Sequence, residues 1–261
     1  MLVVSCMRGW VEMERKAHMR LFVAKTRQPF QTNDVTKATM AIWFSSLVAS
    51  VTIFGAGIPA AQAQDIAATD SAASLILAGA KKEARLRTPY VMDYEELKYP
   101  GGDVSPGTGV CTDLVVRAFR AAGVDLQKEV HGDRLANPSA YPTSLWPNRK
   151  ADRNIDHRRC PNLVAYFRRH IETLPITLDR QSLSENWRPG DVVFYIYSGA
   201  SHPWHVAIVS DKRDADGMPF IIDAYPPVTS ESHRLDEFAP IHSHFRLSSR
   251  APQKALAKKA P

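Results

Sequence analysis

A cysteine that follows a glycine-rich loop and opens an amphipathic helix is placed to act as a nucleophile. Cys111, in Gly109-Val110-Cys111-Thr112-Asp113, is such a residue. The first N–H groups of a helix have no intrahelical acceptor and lie at the positive end of its dipole, and both effects favour thiolate over thiol. The same N–H groups can hold a developing oxyanion. A general base must then reach the sulfur. His205 heads the apolar run Val206-Ala207-Ile208-Val209, and a histidine at the mouth of a strand is rigid enough for that task. Asp223 follows Phe220-Ile221-Ile222, where an adjacent antiparallel strand would let it hold the second ring nitrogen of His205 and fix its tautomer. The competing readings are that Cys111 is a structural cysteine, alone or in a disulfide with Cys160, and that Asp223 merely ends its strand.

Other clusters invite other chemistry. Asn154, Asp156, His157, Arg158 and Arg159 fall within six positions. Two adjacent arginines there would grip carboxylates of an acidic peptide with planar, bidentate geometry. The alternative is a solvated loop with internal ion pairs. His157 competes with His205 for the role of base, and Cys160, next in the chain, reads as structural. His202 and His205 suggest zinc, with Cys111 or Asp223 completing the site. Pro203 breaks the helix that would bring side chains three apart together, and no H-E-x-x-H or paired C-x-x-C is present. No metal is expected, and no phosphate-cradling loop or dinucleotide fingerprint points to a cofactor.

These residues require particular elements to hold them. Asp65 to Arg87 is alanine-rich and predicts a leading helix. Tyr90 to Gly109, dense in Gly, Pro, Asp and Tyr, predicts a loop. Cys111 to Ala122 carries Leu114, Val115, Ala118, Phe119 and Ala122 on one face and is closed by Gly123. Leu126 to Arg159 has few periodic apolar positions and reads as a long excursion. Pro161-Asn162 opens a second helix through Leu163, Tyr166 and Phe167. Beyond Pro189-Gly190 the period changes. Strands are predicted at Asp191–Tyr197, His205–Ser210, Phe220–Tyr225 and Ser243–Leu247, with a turn at Asp214–Gly217. Helices followed by a strand meander give an α+β fold.

Residues 1–63 read differently. Ala41 to Ile58 is an uncharged apolar run after Lys37 and before Pro59-Ala60-Ala61-Gln62-Ala63, the pattern of a secretory signal cleaved after Ala63. A retained membrane anchor is the alternative, and Met19 and Met40 are alternative starts. The expected organisation is therefore a signal at 1–63, a leading helix or linker at 64–84, one domain at 85–250, and a disordered tail at 251–261. Export matters for the charge. Seven of the 33 Lys and Arg and three of the 27 Asp and Glu lie in 1–63, so the whole-chain +6 becomes 26 basic against 24 acidic residues, a net +2. No basic stripe remains and nucleic acid is not an expected partner. Three cysteines in 261 residues exclude a disulfide-stapled scaffold.

The sequence Val110-Cys111-Thr112-Asp113-Leu114-Val115 with Phe119-Arg120-Ala121-Ala122-Gly123, then Arg188-Pro189-Gly190-Asp191-Val192-Val193-Phe194 and His205-Val206-Ala207-Ile208-Val209, resembles the NlpC-like, papain-like cell-wall cysteine peptidases and amidases. It resembles more closely the domain-of-unknown-function family 1287 over Tyr90 to Leu247, including Gly-Val-Cys-Thr-Asp and Asn154 to Arg159. The resemblance implies a papain-like, NlpC-type fold with Cys111 as nucleophile, His205 as base and Asp223 as orienter. Asp113, Tyr99, Asn154, Asp156, His157, Arg158 and Arg159 are the candidate substrate contacts. Thr112-Asp113 stands where those peptidases usually have Ser-Gly, and Asp223 where their third polar residue is often histidine. Tyr99-Pro100-Gly101-Gly102 is one residue short of their Tyr-x-x-Gly-Gly loop. The implied activity is an exported, periplasmic or secreted cysteine hydrolase acting on peptidoglycan peptide stems. A non-catalytic module binding wall peptides in the same groove, and a thioester acyltransferase, are the alternatives.

Overall fold

Strand residues that alternate between two faces, both of them apolar, need cover on both sides, and Val192 to Tyr195 and Val206 to Val209 are written that way. The structure, a computed structural model, describes residues 60–147 and 149–247. The signal and tail expected over 1–63 and 251–261 lie outside these residues, except 60–63, which the first helix includes. Among the described residues five α-helices lead into or interrupt the sheet: α1 (Ala60–Leu86), α2 (Cys111–Ala121), α3 (Leu126–Ala136), α4 (Cys160–His170) and the single turn α5 (Leu183–Asn186). The strands are β1 (Glu172–Leu174), β2 (Val192–Tyr195), β3 (His205–Arg213), β4 (Pro219–Tyr225), β5 (Val228–Ser230) and β6 (Ile241–Arg246). They form an antiparallel sheet in the order β1-β6-β2-β3-β4-β5, so the fold is α+β, as the pattern of helices followed by strands predicts.

Alternation sorts the core. Val192, Phe194, Val206, Ile208, Ile222, Ala224 and Phe245 pack beneath α2 and α4, against Leu114, Val115, Phe119, Leu163 and Phe167. Phe167 is the hub of this layer, stacked on Phe119 at 5.4 Å and edge-on to Phe194 and Phe245 at 5.9 and 5.5 Å. Each such aromatic pair adds about 0.5–1.5 kcal/mol to area burial. Val193, Tyr195, Ala207, Val209 and Ile221 turn to the opposite face, which Leu183, Trp187, Leu235 and Phe238 cover. α1 lies across α2 at Gly79, where a Cβ would come within 2.9 Å of the Ala118 Cα, so only glycine permits the approach. Gly190 combines a φ of +89° with a backbone contact, since a Cβ there would meet the Ala73 carbonyl oxygen at 2.6 Å.

α3 is the main departure from the expected excursion. Asp125 caps it by accepting from the Gln127 N–H at 3.1 Å, and Leu126, Val130 and Arg134 are buried one turn apart. The third of these core positions is an arginine, which conceals the apolar period. Arg134 is neutralised by Asp156, which is wholly buried and also accepts from the Asp152 N–H at 2.8 Å and meets His131 at 3.4 Å. At the far side of the sheet, Asp191 binds Arg246 through two contacts of 2.8 and 2.7 Å and His244 at 2.8 Å, with Trp187 stacked on His244 at 3.8 Å. This buried group ties β6 to the start of β2. Among the described residues no helix is long and apolar enough to cross a membrane.

Candidate active site

Cys111 is the first residue of α2, and the head of that helix is firmly built. Asp113 Oδ2 accepts from the Val110 N–H at 2.8 Å, while Arg158 clasps the same carboxylate at 2.8 and 3.1 Å. Thr112 Oγ1 donates to the Arg158 carbonyl at 3.2 Å. These bonds set the first turn of α2 beside the first turn of α4, which begins at Cys160. Neither Cys111 nor Cys160 is in a disulfide, so the expected alternative of a Cys111–Cys160 bridge is not what the structure holds. Their thiols are instead in hydrogen-bond contact.

His205 opens β3 opposite Tyr195 of β2. The antiparallel pairing of Ile208 with Ile222 and Val209 with Ile221 carries Asp223 to the neighbourhood of His205 on the adjacent strand. His205 Nε2 meets Asp223 Oδ2 at 3.1 Å, which leaves Nδ1 as the ring nitrogen for the Cys111 sulfur, with which His205 is hydrogen bonded. Both His205 and Asp223 are buried. Phe238 stacks on the imidazole at 4.4 Å, with Tyr225 edge-on at 6.0 Å and Trp204 at 5.1 Å, so the ring has one orientation.

The electrostatics follow from these contacts. The Cys111 thiol is lowered to about 5, chiefly by the Cys160 hydrogen bond, which with the His205 charge and the Val206 N–H outweighs burial. Burial alone would lower the His205 imidazole, but the Cys111 thiolate beside it and the Asp223 carboxylate raise it to about 9. Between those limits the pair is thiolate and imidazolium. Burial pushes Asp223 upward, yet hydrogen bonds from His205 and His233 hold it below the usual carboxylate range. Asp223→Asn keeps the shape and removes the charge. In that variant the His205 imidazole is expected to titrate lower than in the wild type, though the Cys111 thiolate still raises it. Histidine NMR reads the shift, and an unmoved titration would show that Asp223 does not support the imidazolium.

His233 was not among the expected residues. Its Nδ1 meets Asp223 Oδ1 at 3.1 Å, completing a line Cys111–His205–Asp223–His233. The turn at Pro226-Pro227 folds the chain back along β4, and the Ile221 N–H donates to the His233 carbonyl at 2.9 Å, which delivers the side chain. The available signal was a histidine ten residues after Asp223 across a proline turn, which no periodicity marks.

The expected substrate contacts lie elsewhere in the local architecture. Asp113 and Arg158 are paired with each other behind Cys111. Asn154 Oδ1 accepts from the Leu97 N–H at 3.0 Å, and its Nδ2 donates to Tyr94 at 3.1 Å. Asp156 serves Arg134. His157 is buried, and burial together with the Arg158 and Arg120 charges pushes its imidazole down to about 3. Arg159 lies over the Trp146 ring at 4.0 Å. Tyr99 is edge-on to His131 at 5.5 Å, with Arg153 over its ring at 5.8 Å. The structure thus gathers Cys111, His205 and Asp223, sets Asp113 and Arg158 against the same helix start, and places Tyr99, Asn154, Asp156, His157 and Arg159 in the network around α3 and the loop before α4.

Comparison with known proteins places this arrangement among relatives. The chain is 40% identical over 145 residues to the uncharacterized protein YijF of Escherichia coli strain K12, an alignment covering 55% of this chain and 67% of that protein. Among solved structures it is similar to a lipoprotein-like protein of the NLP/P60 family from Staphylococcus aureus Mu50, with a TM-score of 0.35, 17% identity and coverage of 69% of this chain. This chain spans 42% of that protein's length. An N-acetylmuramoyl-L-alanine amidase from Bacteroides uniformis gives a TM-score of 0.37 at 12% identity, over 68% of this chain and 99% of that one. The family described as "Domain of unknown function (DUF1287)" matches residues 77–247, about two thirds of the chain and all of the site, and the chain belongs to that family.

Proposed function

We propose that the protein is an exported cysteine amidohydrolase that cleaves amide bonds in peptidoglycan peptide stems. The observation that carries this reading is a helix-head thiol hydrogen bonded to an imidazole whose other nitrogen is held by a buried carboxylate. In the proposed reaction the Cys111 thiolate attacks the amide carbonyl, and the Cys111 N–H with a loop N–H receives the oxyanion. The His205 imidazolium gives its proton to the leaving amine. The neutral imidazole then takes a proton from water, whose oxygen attacks the thioester, and the thiolate returns. The peptide-stem assignment is supported by the motif resemblance around Cys111 and His205 and by the signal-like segment before the domain, which also supports a periplasmic or secreted location. Tyr99 and Arg159, both half-buried, are retained as substrate contacts. Asp113, Arg158 and Asp156, each engaged by protein partners, are assigned to supporting the site.

The test incubates the protein and its Cys111→Ala variant with purified peptidoglycan fragments and weighs the products. New fragments from the wild type alone, with masses that identify the bond, are expected. Equal cleavage by both proteins removes Cys111 from the mechanism. Absence of cleavage by a reduced, alkylatable wild type overturns the peptide-stem assignment. Transfer to an added amine without hydrolysis identifies an acyltransferase instead.

A further inference from the structure

We propose that Cys160 is a resolving thiol for Cys111, so that oxidation closes a Cys111–Cys160 disulfide and silences the site until a thiol reductant reopens it. The hydrolytic mechanism gives Cys160 no step, and the sequence alone reads it as structural. The structure brings it against the one sulfur whose oxidation state matters.

The placement is built. Cys111 and Cys160 are the first residues of two separate helices. The Thr112 bond to the Arg158 carbonyl at 3.2 Å and the Arg158–Asp113 clasp at 2.8 and 3.1 Å hold those two helix starts side by side. Both cysteines lie in the same buried cluster, and Cys160 is the strongest hydrogen-bond influence on the Cys111 thiol. A disulfide between them would close at an S–S distance of about 2 Å. Two helix N-termini at the paired helix starts favour negative charge there, and the thiolate is the form of sulfur that attacks a peroxide. Cys111 and Cys160 are each 6% exposed, so the pair is buried and hydrogen peroxide, a small oxidant, is the probe chosen to reach it.

The chemistry balances with a hydroperoxide as oxidant. The Cys111 thiolate displaces hydroxide from hydrogen peroxide and becomes a sulfenic acid. The Cys160 sulfur then attacks the Cys111 sulfur, the S–S bond forms as the S–O bond breaks, and hydroxide leaves. The Cys160 proton and one from solvent convert the two hydroxides to water. Two thiol sulfurs lose two electrons in total, and the peroxide gains them. Reduction runs by exchange, in which an external dithiol attacks the disulfide and leaves as its own disulfide. Without Cys160 the sulfenic acid has no neighbouring thiol and proceeds to the sulfinic acid, which thiols do not reduce.

The experiment uses the purified protein in a Cys6→Ser background, so that Cys111 and Cys160 are its two cysteines. Protein is treated with a small excess of hydrogen peroxide, mapped by non-reducing peptide mass spectrometry, then returned to dithiothreitol and titrated with iodoacetamide. The expected wild-type result is one cross-linked peptide pair joining Cys111 to Cys160, a loss of two hydrogens, and nearly full recovery of Cys111 alkylation. Cys160→Ser and Cys160→Ala are expected to give sulfinic Cys111, with recovery of about a tenth or less. A wild type that goes to sulfinic acid without the cross-link, recovers no better than the variants, or links two chains through Cys111 overturns the proposal. The wild-type map decides even if a Cys160 variant folds poorly. Because alkylation needs no substrate, this outcome is independent of the peptidoglycan test.

Discussion

Alkylation of Cys111 by iodoacetamide is expected to be half-maximal near pH 5 and flat through neutrality. An ordinary cysteine would still be gaining rate above pH 8. The reason is local. The sulfur accepts hydrogen bonds from Cys160 and from the Val206 N–H and stands beside the His205 imidazolium, and together these overcome its burial. At neutral pH only a few per cent of a free cysteine is thiolate, whereas Cys111 is almost wholly so. Intrinsic nucleophilicity falls with pKa, so at pH 6 the advantage over a simple thiol is about tenfold rather than the several hundredfold of the thiolate fractions alone. His205→Ala and Cys160→Ala are each expected to move the midpoint upward. Turnover of a cleaved amide, where measured, is expected to be bell-shaped. Below about 5 the nucleophile is protonated, and above about 9 His205 has lost the proton owed to the leaving amine. A midpoint at pH 8 to 9 in the wild type would remove the ion pair from the mechanism.

Asp156→Ala is expected to be the most damaging single change outside the site, lowering stability by about 3–5 kcal/mol in denaturant unfolding. Asp156 has no exposed surface, and Arg134 beside it is 2% exposed. Removing the carboxylate strands the guanidinium in the core and also releases the Asp152 N–H and His131. The loss is expected to reach the thiol pair through the main chain, because the Asp156 backbone carbonyl that accepts from the Asn162 side chain at 3.1 Å, in the turn that starts α4, is no longer anchored by its own side chain. Replacing both charges, as in Arg134→Met with Asp156→Leu, is expected to cost less than Asp156→Ala alone, since the guanidinium buried deepest is removed with its partner and only the more exposed Arg159 loses a contact. Equal losses in the single and double variants would show that the pair's charge is not what matters.

The parts of the fold that were legible in the sequence are those where apolar side chains recur at one period. Leu114, Val115, Ala118 and Phe119 announced α2, and the runs at Val192, Val206 and Phe220 announced three central strands. Their order alone put a thiol at a helix head and a histidine at a strand mouth. What stayed hidden depends on backbone pairing or on charge. β3 runs past Ser210 to Arg213 because exposed Asp211 and Lys212 extend the strand by backbone bonds. β1 is three mostly exposed residues whose strand character comes from lying along β6. The contact between Cys111 and Cys160, 49 positions apart, and that between Asp223 and His233 arise from how helices and turns close in space. Residue spacing does not encode either.

The strand order has a consequence for when this protein can assemble. β6, last in the chain of the described strands, is inserted between β1 and β2 rather than added at an edge. Until Ile241 to Arg246 is available, β1 has no partner and β2 is an open edge. Asp191 also lacks both His244 and Arg246. The β2–β3–β4–β5 meander that carries His205 and Asp223 can pair as it emerges, but the β1–β6–β2 side of the sheet closes only when β6 is available. β2, which pairs with the start of β3 at His205, is secured on its other edge only when Ile241 to Arg246 arrives, so the support beneath the thiol–imidazole pair is completed late within the domain.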